Sequence, residues 1–173
     1  VSAIVDLDAA CGRYLTYRDL IECGNTWRAR AASGTPIDNL PRAAASVAAL
    51  RDLCVAVIDP LVDQFGPVIV TYGFASARLV AKVPGRIAPR LDQHASCEID
   101  STGRLVCPRR GAAVDLFVKG HPATEVARWI AAHTPYDRLY LYGDERPIHV
   151  SYGPEANCVA FEKVGRVPRR IRL

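Results

Sequence analysis

Gly111-Ala112-Ala113-Val114-Asp115-Leu116-Phe117-Val118 is the stretch on which the reading of the fold turns. It is apolar almost throughout, which predicts a strand buried on both faces. Asp115 breaks the pattern. A carboxylate on such a strand carries a large desolvation cost, so it needs a cation or strong hydrogen-bond donors beside it. A metal ion would meet that need, and so would an arginine or a helix N-terminus.

Outward from this strand the chain alternates between helical and extended patterns. Ile148-His149-Val150-Ser151-Tyr152 reads as a further strand, and so do Val68–Tyr72, Arg138–Tyr142 and Cys158–Glu162. From Ala43 to Phe65 the apolar residues Val47, Leu50, Leu53, Cys54, Val57, Ile58, Leu61, Val62 and Phe65 recur at helical spacing. Pro60 predicts a kink or a split there, and Gly66-Pro67 an end. Thr16 caps a short helix running to Ile21, Ala77–Val83 suggests a brief one, and Pro84-Gly85 stops it. Pro122 opens another helix, through Ile130. Residues 24 to 42 are rich in Gly, Asn, Thr and Pro and read as a long surface connection. This order predicts one α+β domain over residues 1 to 173, with a small, mainly antiparallel sheet flanked by helices.

His94, in Asp92-Gln93-His94, and His149 join Asp115 as the candidate ligands. His149 points away from its apolar neighbours Ile148 and Val150 by strand alternation. Two imidazoles and one carboxylate suit Zn²⁺ and leave a fourth position for water or substrate. His94, Cys97 and Cys107 form an alternative structural zinc set, though they lack a tight Cys-x-x-Cys spacing. Asp92 and Gln93 read as supporting residues around His94.

The ordered phrases Ile58-Asp59-Pro60-Leu61, Phe65-Gly66-Pro67-Val68, Tyr72-Gly73-Phe74-Ala75-Ser76, Gln93-His94, Gly111–Asp115 and Ile148-His149-Val150-Ser151 resemble the peptidase M15 group. That group holds the zinc D-Ala-D-Ala carboxypeptidases and hedgehog-like metallopeptidases, and the likeness is to its short phage-associated branch. It spans residues 14 to 153 and implies the M15 fold, with zinc on His94, Asp115 and His149. It also implies hydrolysis of a peptide or amide, such as a peptidoglycan peptide. Three departures stand out. Asp115 lies 21 positions after His94, against seven in the family pattern, so residues 95–110 read as an insert. The arginine of the family's Ser-Gly-Tyr-Arg turn is Ala75. The family's catalytic glutamate falls at Tyr142, or at Arg146 in branches with Glu-x-x-His.

Hydrolysis needs a base for the water proton and a polarising group for the developing oxyanion. Glu98, inside the insert, and Glu145, just before His149, are the candidate bases, with Asp144 beside the latter. Tyr142, Tyr152 and Arg110 are candidate polarising groups. No phosphate-cradling Gly-rich loop, dinucleotide fingerprint or Gly-x-Ser-x-Gly elbow occurs, and no aromatic-basic interleaving marks a single-strand nucleic-acid binder.

The 173 residues carry a net charge of +4, unevenly spread. Lys163 to Leu173 reads as a basic tail, with Arg166, Arg169, Arg170 and Arg172, and Arg104, Arg109 and Arg110 cluster in the insert. Such clusters are either solvated or attract an anionic polymer such as nucleic acid. The six scattered cysteines suggest reduced thiols in a cytoplasmic setting, with a Cys97–Cys107 bridge if oxidised. No apolar run reaches bilayer length. Val1–Asp6 lacks the basic head of a secretory signal, and the absent Met leaves a lost leader open. Besides the zinc hydrolase, two readings remain: a binding or structural protein that has lost the peptidase reaction, and a metal enzyme for a phosphate-containing, non-peptide substrate.

Overall fold

A computed structural model describes residues 5–84, 88–165 and 167–173, and for Val164 the backbone alone. Val1–Ile4 of the start, Gly85 of the expected break and Arg166 of the basic stretch lie outside the described residues. Six strands form one sheet: β1 Val68–Tyr72, β2 Ala112–Val118, β3 Arg138–Leu141, β4 Ile148–Tyr152, β5 Val159–Val164 and β6 Val167–Ile171. The order is β1-β2-β4-β3-β5-β6, and every neighbouring pair is antiparallel except β3 with β5. The helices are α1 Tyr17–Ile21, α2 Asn25–Ala32, α3 Ala44–Leu53, α4 Asp59–Phe65, α5 Ala77–Val80 and α6 Ala123–His133. This is an α+β domain with a mostly antiparallel sheet.

Strand alternation gives the sheet two unlike faces. Val114 and Leu116 of β2, Ile148 and Val150 of β4, and Leu139 of β3 pack into one core with α3, α4 and α6. The opposite parity carries Asp115, His149 and Tyr140. Register places these in one row across the sheet: Tyr72 opposite Asp115, Asp115 opposite His149, His149 opposite Tyr140. Residues distant in sequence thus become lateral neighbours.

The long apolar helix is split near Pro60, as expected, with the backbone helical on both sides of the junction. A single π-helical turn, Cys54–Ile58, joins α3 to α4, and Pro60 falls in the first turn of α4. The widened turn accommodates the residue that has no N–H to donate. Leu50, Leu53, Cys54, Val57, Ile58 and Leu61 are fully buried along this rod.

Two expectations are corrected. Residues 24 to 42 are not all connection, because α2 lies within them. It buries none of its residues, so it leaves no apolar periodicity in the sequence and rests on local Ala and Arg propensity. The stretch from Lys163 onward is not a tail: Lys163 and Val164 end β5, and Val167–Ile171 forms the edge strand β6. Ile171 packs against the core, while Pro168 and the exposed arginines keep the outer edge from pairing further. Among the described residues no helix is long and apolar enough to cross a membrane.

Candidate metal centre

His94, Asp115 and His149 converge. His149 Nδ1 lies 2.8 Å from Asp115 Oδ1, His94 Nε2 lies 3.3 Å from the same oxygen, and the two ring nitrogens are 3.2 Å apart. Tetrahedral zinc with bonds near 2 Å separates its ligand atoms by roughly 3.3 Å; two of the three separations match this, and the third, 2.8 Å between His149 and Asp115, is that of a hydrogen bond. Among the described residues this is the one group of three His, Cys, Asp or Glu ligands close enough to share an ion.

Asp115 and His149 meet because β2 and β4 pair them directly. His94 lies in a single 3-10 turn, Gln93–Ala95, capped by Asp92, and is clamped from several sides. Its Nδ1 donates to the Gly73 carbonyl at 2.7 Å, and its own carbonyl accepts from the Ala75 N–H at 2.9 Å. That first bond fixes the proton on Nδ1 and leaves the Nε2 lone pair facing the cluster. Asp92 Oδ1 accepts the His94 N–H at 3.1 Å. Gly73 is required here: a Cβ would sit 2.3 Å from the Leu20 carbonyl oxygen. Asn39 holds the same turn, donating to the carbonyls of Ile21 and Phe74 and accepting from the Ser76 N–H.

Gln93 anchors that 3-10 turn to the sheet. Its Nε2 donates to Asp137 Oδ2 at 2.9 Å and to the Arg110 carbonyl at 3.0 Å, and its Oε1 accepts from Ser151 Oγ at 2.9 Å. Asp137, fully buried, also accepts from the Asn157 N–H and side-chain amide. The role of Gln93 matches its reading as a supporting residue, whereas Asp137 and Asn157 were not singled out. Ser151 was within reach of the sequence: two positions after His149 on a strand, it shares that ligand's face.

Burial disfavours the charged form of Asp115, but the His94 and His149 imidazoles outweigh it and hold the carboxyl well below its ordinary range. Burial pushes the His149 imidazole down, which favours the neutral, ligating form. A cavity of about 520 Å³ opens over the cluster, walled by Tyr72, Tyr140 and Tyr142 and by Arg109, Arg138 and Lys163.

Neither candidate base reaches this cavity. Glu98 is buried elsewhere: its Oε1 accepts from the N–H groups of Arg42 and Ala43 and from Ser46 Oγ, at 3.0, 3.0 and 2.8 Å. It serves backbone and hydroxyl donors at the start of α3 that lack partners within the helix, where a negative charge also suits the helix dipole. Glu98→Ala is therefore expected to lower stability by about 2 kcal/mol in urea unfolding while leaving zinc content unchanged. Glu145 sits on the exposed turn before β4, beside a separate depression lined by Ile69, Phe117 and His121. Both were plausible in sequence because proximity along the chain stood in for proximity in space.

Residues 95–110, expected as an insert, form a hairpin-like excursion closed by an isolated bridge between Ile99 and Leu105. All six cysteines are free, and Cys97 and Cys107 join no metal cluster with His94 among the described residues. Tyr142 lines the cavity, Tyr152 packs against the core, and Arg110 is exposed. Ala75, where the M15 resemblance implies an arginine, is buried. No family model, curated protein or solved structure matches the chain.

Proposed function

We propose that this protein is a zinc-dependent hydrolase with an M15-like centre, acting on a peptide or other amide. One observation carries the reading: a buried His94–Asp115–His149 cluster, close enough to share an ion, at the floor of a cavity large enough for a substrate. When bound there, zinc supplies Lewis acidity and lowers the pKa of water toward neutrality. His94 and His149 contribute neutral nitrogens, and Asp115 contributes the negative charge. Tyr142 lines the cavity, and its phenol, protonated at neutral pH as tyrosines are, acts as a hydrogen-bond donor toward a substrate oxygen. Tyr72 and Tyr140 hold the ligand rings by edge contacts, with centroids 4.6 Å from His94 and 5.4 Å from His149.

A second reading is favoured by the carboxylates around the cavity. Among the described residues these are Asp92, which receives the His94 N–H, and Asp115. A separate acidic base is not among them. A binding or structural module that keeps the metal would fit that lining, with Arg169, Arg170 and Arg172 on the exposed edge available to an anionic polymer.

Purified protein is expected to carry one zinc per chain and to hydrolyse peptide substrates. Chelation should abolish turnover and added zinc should restore it, as a panel of peptides, phosphoesters and nucleic acids with and without chelator will read. Stoichiometric zinc with no turnover of any of these would favour the binding module. Turnover insensitive to chelation would remove the hydrolase reading.

A further inference from the structure

The cavity over the metal cluster has a positive wall that the ligand set does not use. Lys163 reaches it from β5, Arg138 from β3 and Arg109 from the end of the 95–110 excursion. Arg109 is tethered by donating to the Leu91 carbonyl at 2.7 Å, and Lys163 Nζ lies 5.9 Å from the centroid of the Tyr142 ring. Neither has an acidic partner among the described residues. The two carboxylates that line the cavity are engaged elsewhere, Asp92 with the His94 backbone and Asp115 with the imidazoles.

Arg138 adds an independent observation. Its side chain is 14% exposed, with Glu155 and Asp137 beside its terminal nitrogens at 3.4 and 3.9 Å. Its Nε–H is buried and has no acceptor in the protein. Buried donors are nearly always matched, and an unmatched one calls for an explanation. Two half-buried cations without acidic partners among the described residues line the same cavity as Arg138 and focus a positive potential into a concave, partly desolvated space.

We propose that Arg109 and Lys163, with Arg138 beside them, form a subsite for an oxyanion group, phosphate or carboxylate, on the molecule that occupies the cavity. This rests on the hydrolase reading above and narrows its substrate to one with an acidic group near the reacting bond. Guanidinium and ammonium groups differ in what they prefer. The planar guanidinium fork matches two oxygens at once, and the ammonium acts as a point charge. The pair therefore accepts either oxyanion and discriminates against a neutral group of the same size.

The test is titration of the zinc-loaded protein with inorganic phosphate, acetate and acetamide, followed by NMR shifts of the cavity residues, for wild type and for Arg109→Gln combined with Lys163→Gln. At least one anion is expected to bind about tenfold more tightly than acetamide, and the double variant should lose that preference. A stronger response to phosphate points to a phosphate-bearing substrate, and a stronger one to acetate points to a carboxylate. Equal binding of anions and acetamide, or an undiminished preference in the double variant, overturns the subsite. Zinc content measured on the same samples separates the two readings. A chain without zinc that still takes the anion through Arg109 and Lys163 removes the metal reading alone. A zinc-loaded chain indifferent to both anions removes the subsite alone.

Discussion

Asp115→Ala protein will carry no stoichiometric zinc, and its affinity for zinc will fall by more than about 100-fold. Loss of a supporting contact alone typically costs 10- to 100-fold, and this substitution removes a ligand and the negative charge of the set. The two imidazoles would remain 3.2 Å apart, without the carboxylate that offsets the positive charge of the ion. The effect extends to stability, because an ion that binds only the folded chain stabilises it by mass action. At a hundredfold excess of zinc over its dissociation constant the gain is about 2.7 kcal/mol. For a chain of this size that is roughly 5–10 °C in Tm. Wild type should show this zinc-dependent rise, and Asp115→Ala should not. Tyr142→Phe serves as the contrast: it should keep its zinc and its thermal response, since the hydroxyl is not a ligand. Equal zinc content in wild type and Asp115→Ala would mean that the carboxylate is no part of the site.

The second large effect is expected at Asp137. It has no exposed surface and accepts from Gln93 Nε2, the Asn157 N–H and Asn157 Nδ2 at 2.9, 3.0 and 2.7 Å. Asp137→Ala removes one acceptor of the buried Gln93 amide and the acceptor that holds the exposed Asn157 against the sheet, and it leaves Arg138 with Glu155 alone. Such losses cost about 1–3 kcal/mol, which urea unfolding will measure directly. Because Gln93 precedes His94, the damage should reach the metal centre as a 10- to 100-fold weaker hold on zinc. Asp137→Asn keeps the shape but turns one acceptor into a donor facing Gln93 and Asn157, so it should recover only part of either loss. A large fall in stability with zinc affinity unchanged would restrict the network to a structural role.

Why some of this could be read from residues alone follows from where the information sits. β2, β4, β1 and α6 are written in burial: apolar runs at period two or 3.6 exist because one or both faces meet the core. Asp115 was legible for the same reason, as a carboxylate where the pattern allowed none. α2 and β6 have no such signature. The first buries nothing, and the second is held mainly by backbone pairing with β5 and by one side chain, Ile171. Glu98 and Glu145 lie away from the cavity for a related reason. Glu98 lies four positions from a ligand, yet the 95–110 excursion turns it back to the start of α3, a long-range contact with no local trace. Asp137 likewise gains its meaning only once Gln93, Ser151 and Asn157 surround it. The three ligands stand in the order that the M15 resemblance implies, whereas Ala75 and Tyr142 stand where it implies an arginine and a glutamate.

The central claim is that three side chains from distant parts of the chain hold one ion. A crystal structure of zinc-soaked protein, with data recorded on both sides of the zinc absorption edge, tests it most directly. The account predicts one anomalous peak within about 2.0–2.2 Å of His94 Nε2, His149 Nδ1 and an Asp115 carboxylate oxygen, at full occupancy. Zinc bound elsewhere, or those three atoms left paired with one another while zinc is in excess, would contradict it.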